Sequence, residues 1–318
     1  MQYMLKKTVG MLVTLVLISI LTFLILFHLP GDPAVLILGL EASPDALEQV
    51  RSQLGLNLPV WEQYWHWARG VLGGDFGSSL TFSRGYPVAE LIRSGLPVTI
   101  SLAMAAVVLA LLLSIPLGIV CASNRNSRLD SAILSISQIG LSLPAFWVGI
   151  ILIQIFALRL GWLPPGNMPA WSVNPLGAGV ALILPALALA LPRAAILTRV
   201  VRSAMLEVLG EDYIRTARSK GLSEQLVVYK HALRNALVAI STVAGIHLVQ
   251  LVAGTVVIEQ VFSLPGLGRM VLSAVLLRDL PLVQGLVFVG ASLVLLVNFS
   301  LDLIYPLLDP RITQVRYD

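Results

Sequence analysis

A single cysteine, Cys121, stands in the 318 residues, which excludes an intrachain disulfide and any cysteine-based metal cluster. Charge is also scarce: Asp, Glu, Lys and Arg make up 12% of the chain, against about 25% in soluble domains. The four histidines, His28, His66, His231 and His247, are scattered, with no His-Glu-x-x-His pattern among them. No Ser/His/Asp set suggests a nucleophile, and no phosphate-binding Walker sequence occurs anywhere. The glycines of GGDFGSS (73–79) lack both a preceding strand and the Gly-Lys-Ser/Thr ending that a phosphate loop requires. No catalytic residue is therefore expected, and no cofactor bound by this chain. If ATP drives its work, hydrolysis belongs to another chain.

What fills the sequence is apolar surface: 57% of the residues are hydrophobic and the mean hydropathy is +0.87. A bilayer core of about 30 Å takes about 20 helical residues to cross. The run Val9–Phe27 meets that length behind Lys6 and Lys7, and no small-residue cleavage site follows it, so it reads as an uncleaved first span. Charge-free runs at Ser94–Asn124, Ser131–Leu158, Asn235–Ile258 and Leu280–Leu301 predict four more. Another, about Gly177–Val201, holds Pro185 and Pro192 and meets Arg193 near its inner end, where a long side chain can snorkel to the interface. Prolines inside a span suit a helix packed within a bundle, where neighbours satisfy the carbonyls they free. The expectation is an all-α membrane protein of six transmembrane helices.

Basic residues orient it. With both termini cytoplasmic, 14 of the 21 Lys and Arg lie inside and seven outside. Four of those seven fall in the long segment 29–96, where the positive-inside rule weakens. The net charge of +4 is thus a topology signal rather than a nucleic-acid footprint. Within 29–96, Ser43-Pro44-Asp45 predicts a helix start and Gly55 its end, and Trp61, Tyr64, Trp65 and Trp67 suit the headgroup layer. A proline-rich external loop, GWLPPGNMPAWSVNPLG, spans 161–177.

The longest basic stretch after residue 100 is Tyr213–Leu237, YIRTARSKGLSEQLVVYKHALRNAL. It predicts two short amphipathic helices, the first over about 211–220 and ended by Gly221, the second capped by Ser223 with Glu224 in its first turn. A helix–Gly–helix elbow between two spans is suited to being gripped by a soluble partner. This segment resembles the cytoplasmic "EAA" loop of permease subunits in bacterial binding-protein-dependent ABC importers, whose pattern is Glu-Ala-Ala, three residues, Gly, nine residues, then Ile-x-Leu-Pro. Arg215, Thr216 and Ala217 take the opening positions, and His231, Ala232, Leu233 and Arg234 the closing ones. Ala217, Gly221 and Leu233 match; the Glu, first Ala, Ile and Pro do not. The YIRTARSKG form resembles the peptide and nickel branch. So do LPGDP (29–33), GDFG, the GWLP loop, EQVFSLPGLGR (259–269) and the closing LDPR, and together they cover nearly the whole chain.

That resemblance implies the first permease subunit of an importer in the bacterial inner membrane. It implies one permease domain over 1–318, with an external insertion at 29–96 and a cytoplasmic coupling loop at 203–236. Its expected partners are a second homologous permease forming a heterodimer, two ABC ATPase subunits carrying ATP and Mg, and an extracytoplasmic substrate-binding protein. The coupling residues would be Tyr213, Arg215, Thr216, Ala217, Arg218, Lys220, Gly221, Leu222 and Leu233. Relatives with this framework carry dipeptides, oligopeptides, glutathione or nickel. Peptide import is the leading expectation, with glutathione or nickel import as the alternative.

Polar residues inside the spans are the remaining signal, since each is costly unless satisfied. Gln138, Gln154, His247, Gln250, Glu259, Asn298 and Asp302 qualify. His247 and Gln250, three apart on one helix face, could line an aqueous path or hydrogen-bond to another helix. Glu259 opens the EQVFSLPGLGR signature, which by the resemblance enters the third external loop; there Pro265, Gly266 and Gly268 suggest a re-entrant elbow near the extracellular gate, with gate architecture ahead of direct substrate contact. Glu259 and Asp302 are the carboxylates that an ion-coupled secondary transporter would have to use. No metal site is expected, because a lone imidazole offers too few strong ligands.

Overall fold

A computed structural model of the chain describes residues 2–28, 32–39, 41–53 and 55–308. Leu29, Pro30 and Gly31 of the LPGDP stretch and Asp309–Arg311 of the closing LDPR lie outside the described residues. The elements in chain order are α1 (Gln2–Phe27), α2 (Pro33–Leu38), α3 (Pro44–Gln53), α4 (Val60–Leu72), α5 (Val88–Ser123), α6 (Arg128–Ser142) and α7 (Ala145–Leu152). A π-helical turn, Ile153–Arg159, continues α7. Then come α8 (Pro175–Leu209), α9 (Asp212–Ser219), α10 (Glu224–Leu226), a second π segment (Val227–Ala232), α11 (Leu233–Val261), α12 (Leu267–Leu276) and α13 (Leu280–Leu308). Every named element among the described residues is helical.

Five helices are long and apolar enough to cross a membrane: Lys6–Phe27, Val88–Ser123, Pro175–Leu209, Glu224–Leu251 and Leu280–Leu303. The straight third span expected over 131–158 is corrected. The chain bends there by 101° between α6 and the α7–π segment, and six crossings result if that bent pair is one. The cause is Pro144, which has no N–H to continue the ladder and disfavours the helical conformation at Leu143 (ψ 126°). The stretch around Pro185 and Pro192 differs in the opposite sense. It is one unbroken helix of 35 residues, with Pro185, Ala186, Ala188, Leu189 and Ala190 among its buried residues.

The chain divides into two compact units, Met1–Thr99 with Pro265–Phe299, and Ile100–Leu264 with Ser300–Asp318. In the first, Ser43 caps α3 through the Ala46 N–H, as Ser-Pro-Asp predicts. Helix α4 lies along α1: the Tyr64 hydroxyl bonds Ser19 Oγ at 2.9 Å, and the Phe23 ring meets Tyr64 and Trp67. Trp61 and Trp65 stay exposed, with Arg69 stacked 5.0 Å over Trp65. A second cluster joins Val88 and Ile92 of α5 to Leu267, Met270 and Ala274 of α12 and Leu282 and Leu286 of α13.

The GDFGSS loop has a structural role here. Asp279, fully buried just ahead of α13, accepts hydrogen bonds from Ser79 Oγ and from the N–H groups of Thr81 and Phe82 at 3.0 and 2.9 Å. Its other oxygen accepts from the Leu282 N–H at 3.3 Å, an N-cap contact. Burial alone would raise the Asp279 carboxyl, but the Ser79 hydroxyl and the surrounding amides outweigh it and hold it below the usual carboxylate range. A folded value below the unfolded one means the stabilisation is present above the ordinary carboxylate range and is lost as pH falls through the folded value. Exchange of the Thr81 and Phe82 amides should therefore accelerate in that acidic window. In Asp279→Asn it should be fast at neutral pH, and protection independent of pH would refute the anchor.

The second unit is built on close helix contacts. A Cβ on Gly118 would stand 2.5 Å from the Val201 side chain, so α5 and α8 meet only because residue 118 has none. At Gly166, in the GWLP loop, a Cβ would stand within 3.0 Å of the Phe262 carbonyl carbon, and φ is +151°.

Candidate functional site

The elbow is ordered by its own backbone. Glu211 starts α9 in an extended conformation, and the helix closes in a Schellman motif. The Leu222 N–H bonds the Ala217 carbonyl at 3.4 Å, the Gly221 N–H bonds the Arg218 carbonyl at 2.9 Å, and Gly221 sits at φ +78°. Arg218 then reaches across the turn to grip both oxygens of Glu224, at 3.1 and 2.7 Å. That pair is solvent-exposed and contributes at most about 1 kcal/mol, so the glycine, not the ion pair, decides the turn.

Two expectations for the elbow are corrected. Ser223 occupies the N-cap position by backbone, but its side chain makes no capping bond. The second helix is not short: α10, the π segment and α11 run on without a break from Glu224 to Val261. A stretch with Lys230, His231 and Arg234 reads locally as a surface helix, yet Val227, Val228 and Ala232 are buried and carry it into the membrane span.

Burial sorts the coupling candidates into two groups. Ile214 and Ala217 of α9 are buried against Val201, Ala204 and Met205 of α8 and Val227, Val228 and Ala232 of the π segment, with Leu233 half-buried beside them. The Tyr213 hydroxyl accepts from Asn235 Nδ2 at 2.8 Å, which ties α9 to the start of α11. Arg215, Thr216, Arg218, Lys220, Gly221 and Leu222 face outward, and Tyr229, 58% exposed, extends the same apolar and basic surface. The matched Ala217 and Leu233 thus pack on the inner side of the elbow or beside it, and the basic residues lie on its exposed side.

The transmembrane polar residues separate likewise. Glu259 is fully buried near the end of α11. Pro265 and Gly266 lead into α12, whose first N–H, from Leu267, donates to Thr99 Oγ1 at 2.9 Å; Gly266 and Gly268 are both buried. His247 and Gln250 do share a face, with His247 Nδ1 and Gln250 Oε1 3.2 Å apart. The same Oε1 accepts from Arg193 Nη1 at 2.8 Å. The snorkelling expected of Arg193 is therefore corrected, because its guanidinium turns to α11.

Sequence reasoning missed two further arginines on α8. Arg199 donates to Gln138 Oε1 at 3.1 Å, and Arg202 grips both oxygens of buried Asp130 at 2.8 and 2.7 Å. The signal was present, since arginines recurring along an apolar span need partners. Asp130 and Arg202 are 72 residues apart, however, and no local pattern pairs them.

These features define a class: a multi-pass helical membrane protein with an exposed helix–Gly–helix elbow set between two of its spans. The chain belongs to the family of binding-protein-dependent transport system inner membrane components, which it matches over residues 114–314, with that family's N-terminal membrane component over 1–103. It is 44% identical over 314 residues to a peptide transport system permease protein of Brucella abortus, covering 99% of this chain and 98% of that one. It is 39% identical over 312 residues to the glutathione transport system permease protein GsiC of Escherichia coli K12, covering 98% and 99%. The fold resembles the inward-facing MetNI methionine ABC transporter, with a TM-score of 0.54 and 20% identity over 69% of this chain and 96% of that one. An amino acid ABC transporter solved with histidines gives 0.51, at 17% identity over 68% and 93%.

The chain is thus an inner-membrane transport subunit and not itself an enzyme.

Proposed function

We propose that this chain forms half of the translocation pathway of a peptide importer. The observation that carries the reading is full-length similarity, at 44% identity, to a protein described as a peptide transport permease. A second homologous permease supplies the other half, and two ATPase subunits holding ATP and Mg dock on the outward face of the elbow. A binding protein delivers substrate from outside. ATP-driven closure of the ATPases moves α9 and the helix that follows Gly221, and the bundle opens outward. The joint at Pro265–Gly266, ahead of α12, serves the extracellular gate in this reading. Glutathione, itself a tripeptide, is the second reading, favoured by the 39% identity to GsiC.

The test is uptake by proteoliposomes holding the assembled importer, with labelled dialanine, glutathione and nickel as probes. Dialanine uptake should require ATP and survive collapse of the proton gradient. His247→Ala should change it only modestly. Nickel uptake that vanishes in His247→Ala, with no dialanine or glutathione uptake in either protein, would replace peptide by metal. Uptake that stops with the proton gradient while ATP is retained would make the chain an ion-coupled transporter.

A further inference from the structure

Arg193 and Arg202 lie on the same helix in opposite electrostatic situations. Arg202, seven residues from the inner end of α8, is neutralised by Asp130. Arg193 lies sixteen residues from that end, about 24 Å at 1.5 Å per residue. Its partner Gln250 lies fifteen residues into the charge-free run that starts at Asn235, about 22 Å by the same rise. The contact thus lies well inside the lengths of α8 and α11 rather than at their cytoplasmic ends. There Arg193 bonds a neutral amide, and among the described residues no carboxylate is paired with it.

A cation at that depth is costly against lipid and belongs on a face that meets protein or water. The local hydrogen bonding gives the face a polarity. Gln250 Oε1 is engaged by Arg193 and lies 3.2 Å from His247 Nδ1, which leaves the Gln250 amide N–H groups and the rest of the Arg193 fork as donors. Gln250 is exposed on the isolated chain, and Arg193 and His247 are half-buried. A planar guanidinium with an adjacent amide donor matches a carboxylate, which can accept two parallel N–H bonds, better than it matches a cation or an apolar group.

We propose that Arg193, oriented by Gln250, is a substrate subsite that takes the free carboxylate of a peptide as it crosses the membrane. This rests on the peptide reading above and deepens it by naming the substrate group that is recognised. Gln250 fixes the guanidinium by one bond, leaves its remaining donors open and adds its own amide N–H groups to the seat.

The test uses the assembled importer in proteoliposomes with labelled dialanine and its C-terminal amide, together with binding-protein-stimulated ATP hydrolysis. Arg193→Gln should lower the initial rate of dialanine uptake at least tenfold. Amide uptake and ATP hydrolysis should each stay within twofold of wild type. Arg193→Lys, which keeps the charge but loses the fork, should fall between. Gln250→Leu should lower dialanine uptake several-fold without changing the amide. Parallel losses of dialanine and amide in Arg193→Gln would overturn the subsite and make Arg193 a packing residue. Dialanine uptake within twofold of wild type in that variant would overturn it too. Loss of co-purification with the second permease, restored by Arg193→Lys, would instead assign the charge to a carboxylate of that subunit. A wild-type importer that carries neither dialanine nor glutathione would overturn the peptide reading and the subsite together, whereas normal wild-type uptake with parallel losses in the variant overturns the subsite alone.

Discussion

Replacing Arg202 by methionine should lower the stability of the permease by about 3–5 kcal/mol, because it leaves a buried carboxylate without its counter-charge. Asp130 is 2% exposed and is held by both guanidinium bonds and by the Asn126 N–H at 3.0 Å. The pair clasps the start of α6 to the inner part of α8. Its geometry is bidentate, so a lysine at 202 cannot replace it at full strength. Removing both charges, in Asp130→Asn with Arg202→Met, should cost distinctly less than Arg202→Met alone, since no unpaired charge then remains buried. Thermal unfolding of the purified complex in lipid nanodiscs, run as a double-mutant cycle, reads the difference. A single variant as mild as the double would show that water reaches Asp130 and that the clasp contributes little.

Gly221→Val should abolish coupled uptake while membrane insertion stays normal. A Cβ at residue 221 would meet nothing within 4 Å, so steric crowding cannot be the cause. The cause is conformation: φ is +78°, where a β-branched side chain is strongly disfavoured, at about 1–3 kcal/mol. That strain is relieved most cheaply by opening the Schellman turn, which reorients α9 relative to the helix after it. Gly221→Asn makes the decisive contrast, because asparagine tolerates the left-handed region. We expect uptake to fall at least tenfold in the valine variant and to stay within about twofold in the asparagine variant. ATP hydrolysis should persist in the valine variant, detached from transport. Normal uptake with valine at 221 would remove the elbow from the coupling route.

What could be read from sequence, and what could not, follows from interaction range. The apolar runs, the Ser-Pro-Asp helix start and the turn at Gly221 are local, and each depends on residues within about a turn of one another. The break at Pro144 was also local, but a charge-free run of sufficient length masked it. Ser223 shows the reverse error: the right residue type at an N-cap position whose side chain makes no bond there. The Asp279 anchor joins residues 200 apart, and the Arg193–Gln250 contact joins residues 57 apart. Such pairs leave no pattern along the chain. Intramembrane arginines announce only that partners exist, and the fold alone says which.

The unbroken helical path from Glu224 to Val261 puts the far arm of the elbow, His247 and Gln250 on one rod. Gln250 stands 26 residues beyond Glu224, about 39 Å along the axis. Pivoting such a rod at its cytoplasmic end by about 5° would sweep Gln250 sideways by about 3 Å at that distance. That is the length of the hydrogen bond to Arg193, so a tilt too small to disturb the packing around Ala232 would suffice to make or break the contact. The seat for the substrate's charge would then be assembled and dismantled by leverage from the ATPase side, with no messenger other than the stiffness of a helix.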